Sequence, residues 1–290
     1  MKIQTMSLVT PAGCNAKCPY CVGRMTTQIN NDSSFSSGLC GIYIQNLLKG
    51  IQLAKISGVA SVIITGKGEP TLFPLYVEDY IRYCDKQFPF IELQTNGILF
   101  ADSEHEIWHS LKKWKEMGLT HVAVSIAHND PALNKKIFGT GYNLDVLIER
   151  LHDIGLTVRI NCIMVKYYID NLVAVQGLID WAKRNKVDQL TIRPVAVPDS
   201  SVDTATSDWT QDHLMSNDDT KHINQYIKQY GTRILRLPHG AEVFDVFGQN
   251  VCITDCLTYD ENPDELRQII FMPNGNLRYS WQHEGAILLR

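Results

Sequence analysis

Apolar residues along this chain of 290 residues gather into short β-rich runs separated by longer amphipathic stretches, spaced by about 30 residues, the length of a β-α-β unit. The pattern predicts strands near 2–9, 60–66, 90–95, 120–127, 157–165 and 189–195. Between and after them it predicts helices near 40–56, 75–87, 104–117, 143–153, 171–185 and 218–230. Strand and helix alternate six times, which predicts an α/β fold with a parallel sheet, because consecutive parallel strands need crossover connections. Residues 199–217, rich in Asp, Ser and Thr, read as a surface loop or boundary.

Alternation inside the strands carries more information than their number. Side chains two residues apart share a face of a strand. Glu92, Gln94 and Asn96 therefore oppose Ile91, Leu93 and Thr95; Ala123, Ser125 and Ala127 oppose Val122, Val124 and Ile126. Arg159, Asn161 and Ile163 oppose Val158, Ile160, Cys162 and Met164, and Thr191, Arg193 and Val195 oppose Leu190 and Ile192. If the apolar faces meet the helices, the other faces enclose a polar interior with several small residues, unlike the aliphatic filling of a closed eight-stranded barrel. Glu92, Arg159 and Arg193 are costly to bury without partners, so that interior is expected to hold a polar ligand. A sheet with one wet face is the competing reading.

Composition narrows the class. Hydrophobic residues make up 44% and charged residues 20%, enough for a large core, and the net charge of −4 comes with no dense Lys/Arg tract. A nucleic-acid partner is therefore disfavoured. No apolar run approaches the ~20 residues that span a bilayer, and the amino terminus lacks a signal-peptide pattern, so no membrane association and a cytoplasmic location are expected. Eight cysteines in a chain of this length do not suggest a disulfide scaffold.

Three of those cysteines carry the chemistry. Cys14, Cys18 and Cys21 stand at C-x3-C-x2-C spacing directly after the first strand-like run, close enough to converge on one metal centre. Three thiolates leave one iron of a four-iron cluster open to another ligand. A zinc site needs a fourth ligand nearby, and Cys40 and Cys84 lie far along the chain. Cys40, Cys84 and Cys162 read most simply as core residues.

The spacing, with Tyr20 just before the last cysteine, resembles the signature of the radical S-adenosylmethionine (SAM) superfamily. Thr65-Gly66-Lys67-Gly68-Glu69-Pro70 resembles the GGEP loop of the same superfamily, with Lys67 in place of a glycine. Gln94-Thr95-Asn96-Gly97, Val124-Ser125-Ile126 and Arg159-Ile160-Asn161-Cys162 resemble its cofactor-contacting strand ends, so the likeness covers about residues 1–200. It implies a partial (β/α)6 TIM-type barrel over 1–200, with 201–290 as an extension containing a helix and a β-hairpin. It also implies an oxygen-sensitive [4Fe-4S] cluster on Cys14, Cys18 and Cys21, and SAM as cofactor. Gly66, Gly68, Glu69 and Pro70 would then form the loop that holds the methionine moiety, the two glycines permitting close backbone approach. By the same resemblance Gln94 and Asn96 lie near the ribose or the substrate. Ser125 and Arg159 lie near the methionine carboxylate or the ribose, Asn161 and Ile163 near the nucleoside, and Tyr20 near adenine. The implied reaction is reductive cleavage of SAM to a 5'-deoxyadenosyl radical, fed by a flavodoxin or ferredoxin, followed by hydrogen abstraction from a small molecule or nucleotide. A peptide or partner protein is the alternative substrate, and a non-catalytic Fe-S electron-transfer or metal-binding protein is the rival class.

The C-terminal part holds Cys252 and Cys256, two of the ligands a second cluster requires, and this disfavours one. Asn274-Gly275, set between β-prone runs, predicts a hairpin.

Overall fold

The computed structural model describes residues 2–26, 41–102, 104–237, 240–255 and 265–290. Cys40 and Cys256 fall outside the described residues. Six strands follow the predicted places: β1 (Lys2–Thr10), β2 (Ser61–Gly66), β3 (Phe90–Thr95), β4 (His121–Ile126), β5 (Thr157–Met164) and β6 (Gln189–Pro194). Helices α1 (Val22–Met25) and α2 (Gly41–Ile56) connect β1 to β2, α3 (Pro74–Cys84) connects β2 to β3, and α4 (Ile107–Glu116) connects β3 to β4. α5 (Pro131–Phe138) and α6 (Leu144–Asp153) lead to β5, and α7 (Leu172–Arg184) leads to β6.

The remainder adds α8 (Thr204–Asp212), α9 (Asn217–Tyr230), β7 (Gly231–Arg236), β8 (Glu242–Val246), β9 (Gln249–Ile253), β10 (Glu265–Phe271), β11 (Leu277–Arg278) and β12 (Ile287–Leu289). The twelve strands of the described residues join one sheet, in the order β12-β11-β10-β1-β2-β3-β4-β5-β6-β9-β8-β7. Pairing is parallel from β10 across to β9 and antiparallel in the flanking strands. The sheet curves as a partial TIM-type barrel and does not close. β10 lies against β1, and β9 lies against β6, so strands beyond residue 201 extend both edges of the six-strand core.

The core sits between the sheet and its helices, as the alternation predicts. Ile91, Leu93, Val122, Val124, Ile126, Val158, Ile160, Cys162, Leu190 and Ile192 are all buried in one cluster with helical residues such as Leu111, Trp114, Leu147 and Leu178. Truncating one such leucine to alanine costs about 2–5 kcal/mol, from lost transfer energy and the remaining cavity. Cys84 and Cys162 are buried in this core, matching their packing role.

Residues 199–217, expected as a surface loop or boundary, contain α8. Asp203 caps it by accepting from the Thr206 amide at 3.0 Å, and the Thr210 hydroxyl donates back to the Thr206 carbonyl at 2.7 Å. Packing rather than intrinsic preference holds this Ser/Thr/Asp-rich segment helical, since Val202 N donates to Met25 O at 2.8 Å and Trp209 packs near Tyr20. The hairpin at Asn274-Gly275 is present between β10 and β11, with Gly275 at φ 78° and its carbonyl accepting from Asn46 Nδ2 at 3.0 Å.

Candidate functional site

The site lies at the carboxyl ends of the parallel strands, where the loops after β1, β2 and β3 meet. In parallel α/β sheets ligands bind beyond these strand ends. Cys14 is exposed, while Cys18 and Cys21 are half-buried in the loop between β1 and α1. Cys21 starts α1, its carbonyl accepting from Arg24 N at 3.0 Å and Met25 N at 3.2 Å. Lys17 N donates to Phe138 O at 3.1 Å, and Arg24 Nη2 donates to Cys18 O at 2.6 Å, so the loop is held from two sides.

The thiols are close enough to feel one another. Burial pushes the Cys18 thiol up to about 12, and the neighbouring Cys21 and Cys14 push in the same direction. Cys14 is raised as well, first by burial and further by Glu69 and Cys21. Thiols so disposed need a positive centre to become thiolates. Among the described residues no group of three His, Cys, Asp or Glu side chains fits a single metal ion. Thiols that each take a different iron of a cluster need no such tight convergence.

The loop after β2 is packed backbone to backbone against the cysteine loop. Glu69 N donates to Gly13 O at 2.7 Å. A Cβ on Gly68 would collide with the Gly13 backbone, reaching its nitrogen at 2.6 Å, and a Cβ on Gly23 would lie 2.7 Å from Lys67 O. A Cβ on Gly66 would lie 2.8 Å from Thr10 Oγ1. The close approach these glycines allow is thus between neighbouring segments of the chain. Pro70 is buried at the start of a short helical turn. Lys67 turns its ammonium to Thr26 Oγ1 at 3.0 Å.

Glu69 is 1% exposed and both its carboxylate oxygens are engaged. Oε1 accepts from Thr71 N at 3.1 Å, Thr71 Oγ1 at 2.7 Å and Thr95 Oγ1 at 2.7 Å; Oε2 accepts from Asn96 N at 2.7 Å. Its side chain therefore ties strand ends together. Asn96 continues the chain of contacts, its Nδ2 donating to Asn15 Oδ1 at 2.7 Å and approaching Cys14 Sγ at 3.8 Å. The αL glycine that follows, Gly97, has φ 74°, and a Cβ there would strike the Tyr142 hydroxyl, which itself donates to Asn96 O at 2.5 Å.

Below this rim the interior is polar, as the alternation predicts. Arg159 Nη2 pairs with Glu92 Oε1 at 2.6 Å. Gln94 Nε2 donates to the same oxygen at 3.1 Å, and Gln94 Oε1 accepts from Thr65 Oγ1 at 3.1 Å. Ser125 and Asn161 are register partners on β4 and β5. Among the described residues, the buried Asn161 Oδ1, Arg159 Nε and Arg193 Nε find no hydrogen-bond partner. Buried polar atoms left this way fit a cavity that receives a polar ligand. On the α8 side Tyr20 and Ile163 share an apolar cluster with Cys18, Val165, Val195 and Trp209. The predicted residues thus fall into three groups: the rim with Gly66, Gly68, Glu69, Pro70 and Asn96, the interior with Gln94, Ser125, Arg159 and Asn161, and the apolar side with Tyr20 and Ile163. Sequence reading missed Asn15 and Trp209, and weighed Cys252 only as a ligand of a second cluster. Cys252 is register partner of Thr191 and lies in the field of Arg159 and Arg193, a position that appears only once β9 pairs with β6.

Comparison with known proteins agrees with this geometry. The family model described as Radical SAM superfamily matches residues 8–193. The chain belongs to the radical SAM superfamily. Members of this superfamily use a [4Fe-4S] cluster and SAM, and the clustered thiols and unpartnered polar interior suit those two groups. Among curated relatives, the chain is 30% identical over 191 residues to a probable GTP 3',8-cyclase of Methanococcus aeolicus, covering 63% of this chain and 56% of that protein. It is 25% identical over 215 residues to the GTP 3',8-cyclase of Aquifex aeolicus, covering 72% and 60%. The chain thus spans less than two thirds of either relative. Among solved structures, SuiB of Streptococcus suis bound to precursor peptide SuiA superimposes with TM-score 0.65 at 18% identity, covering 95% of this radical SAM chain and 59% of SuiB. The radical SAM enzyme HemN of Escherichia coli, a coproporphyrinogen III oxidase, gives TM-score 0.50 at 12% identity, over 80% and 54%. These two likenesses concern the fold. Among the described residues no helix is long and apolar enough to cross a membrane.

Proposed function

We propose that this radical SAM enzyme binds its [4Fe-4S] cluster through Cys14, Cys18 and Cys21, and abstracts hydrogen from a small molecule or nucleotide held in the polar interior. The observation that carries the reading is the linkage of the three strand ends: Glu69 fixes Asn96, Asn96 reaches Cys14 and Asn15, and the Gly68 backbone rests on Gly13, so cysteine loop and interior form one unit. When bound, the cluster and SAM supply a one-electron cleavage that yields a 5'-deoxyadenosyl radical, and the protein supplies orientation and exclusion of water.

The chain's own part follows from its geometry. The glycine-lined loop offers backbone groups to the methionine end of SAM. Asn161, Ser125 and Arg159 offer hydrogen bonds deeper in the interior, while Tyr20 and Ile163 offer an apolar side for the adenine. The Glu92 carboxylate fixes Arg159 so that its free Nε has a defined direction. Two curated relatives named GTP 3',8-cyclase support a nucleotide-sized substrate. The fold likeness to peptide-bound SuiB keeps a peptide as the second reading. A flavodoxin or ferredoxin is the proposed electron donor.

The test is anaerobic reconstitution with iron and sulfide, followed by chromatography for 5'-deoxyadenosine in the presence of SAM and a one-electron reductant. Wild type is expected to release it, and Cys18→Ala is expected to lose cluster and product together. Product formation by Cys18→Ala would refute the ligand assignment.

A further inference from the structure

Arg193 stands near the carboxyl end of β6, on the face that looks into the interior. Its register partner on β5 is Ile163, and Val195, two residues on, belongs with Ile163, Tyr20 and Cys18 to one apolar cluster. The arginine therefore lies on the cysteine-loop side of the interior. Among the described residues no carboxylate forms an ion pair with it, and its Nε is shut off from solvent without a hydrogen-bond partner. The Glu92 carboxylate is already committed, to Arg159 at 2.6 Å and to Gln94 at 3.1 Å. An N–H hidden from water and left without an acceptor is costly to bury, so it marks a place where an acceptor is brought in. In arginine, Nε and one Nη make the flat fork that holds two oxygens of a carboxylate or phosphate.

The strands beyond β6 add a wall of different character. Register pairing continues the row Ser125, Asn161 and Thr191 through Cys252 on β9 to Val243 on β8. Residues paired across strands share a face of the sheet, so Cys252 and Val243 prolong the interior face past β6. Together with Ala241 they form an apolar cluster separate from the main core, and Leu237 packs against it. The row thus passes from polar to apolar at the strand that carries Arg193. Arg159 and Arg193 both act through space on the Cys252 thiol, although burial, the larger influence, raises it. An arginine fork bordered by an apolar wall suits a small organic anion.

We propose that Arg193 binds the carboxylate or phosphate group of the substrate through its Nε edge, and that Cys252, Val243 and Ala241 line the space for the body of that molecule. The inference rests on the radical SAM reading above and names the substrate class for the same interior. It sets cofactor and substrate on different strands: Ser125, Arg159 and Asn161 of β4 and β5 serve SAM, while Arg193 of β6 serves the substrate with β8 and β9.

The reconstituted enzyme is titrated calorimetrically, in separate arms, with hexanoate, with monohexyl phosphate, with hexanol and with S-adenosylhomocysteine. Wild type is expected to bind at least one of the two anions tenfold or more tightly than hexanol, and the tighter anion identifies carboxylate or phosphate as the group received. Arg193→Gln is expected to weaken that binding at least tenfold. Phenylglyoxal labelling of the wild type, located by peptide mass spectrometry, needs no variant to fold: the same anion is expected to slow modification of Arg193 at least threefold. Absence of binding by both anions, unchanged affinity in folded Arg193→Gln, or labelling of Arg193 that the anion does not slow overturns the subsite. So does a tenfold loss of S-adenosylhomocysteine affinity in Arg193→Gln with anion binding intact, which moves Arg193 to the cofactor. A wild-type enzyme that binds the anion through Arg193 but releases no 5'-deoxyadenosine sinks the radical reading and leaves the subsite standing.

Discussion

The Glu69 carboxylate accepts the main-chain amide of Asn96 at 2.7 Å, joining the end of β2 to the end of β3 inside the protein. Because all four contacts to this carboxylate come from donors, its acceptor-only chemistry is what the position requires.

Glu69→Gln is therefore expected to be poorly tolerated despite its matching shape, because its amide NH2 would face a donor. The expected loss is about 2–3 kcal/mol, the scale of a buried donor left unsatisfied. Chemical denaturation of the purified variant measures it, and iron content after reconstitution should fall in parallel.

Gly68→Ala places a methyl into the Gly13 backbone, next to Cys14. Overpacking of this kind costs about 1–3 kcal/mol, and here the segments forced apart are the cysteine loop and the loop after β2. Iron incorporation and SAM affinity should both decline, read by iron assay and by titration. Normal values for both would show that the two loops can separate without consequence.

Glu92→Ala removes the partner of Arg159 while leaving the guanidinium largely enclosed. A destabilisation of about 3 kcal/mol is expected, the lower end for a broken buried pair. The double variant Glu92→Leu with Arg159→Met should recover much of this, since it removes both charges. Unfolding curves of the three proteins decide the matter.

Acid should weaken the fold through His121. Burial holds its imidazole below the usual histidine range, with Arg159 acting in the same direction and Glu92 opposing. Also facing the ring are Asp188 and Lys115 through space, the Thr120 hydroxyl at 2.7 Å and the Phe90 ring. With the folded value depressed below the unfolded one near 6.5, the stability from the neutral ring is full above about pH 6.5 and is lost as pH falls through the folded value. His121→Gln should flatten that part of a pH series of unfolding midpoints.

The six core strands are legible because each is buried on its helix side, where Val, Ile and Leu must recur at every second residue. The polar interior is legible for the same reason, from Glu92, Gln94, Arg159 and Asn161. α5 lies outside the predicted helices although its local signals are present: Asp130 caps it, Pro131 opens it and Gly139 closes it at φ 84°. α8 carries weaker signals, since Thr204–Asp212 contains few strong helix formers and depends on contacts with Met25 and Tyr20. Within the site, the cysteine spacing and the glycine-rich loop announce themselves locally. The structural work of Glu69 arises from contacts across the fold that no local pattern encodes.

The pairing of β1 with β10 has a bearing on how the protein is made. Lys2 meets Glu265 across 263 positions of sequence, so the strand leading into the cysteine loop gains its second neighbour only after residues near 270 have left the ribosome. Iron and sulfide delivered earlier would meet an exposed, half-supported edge.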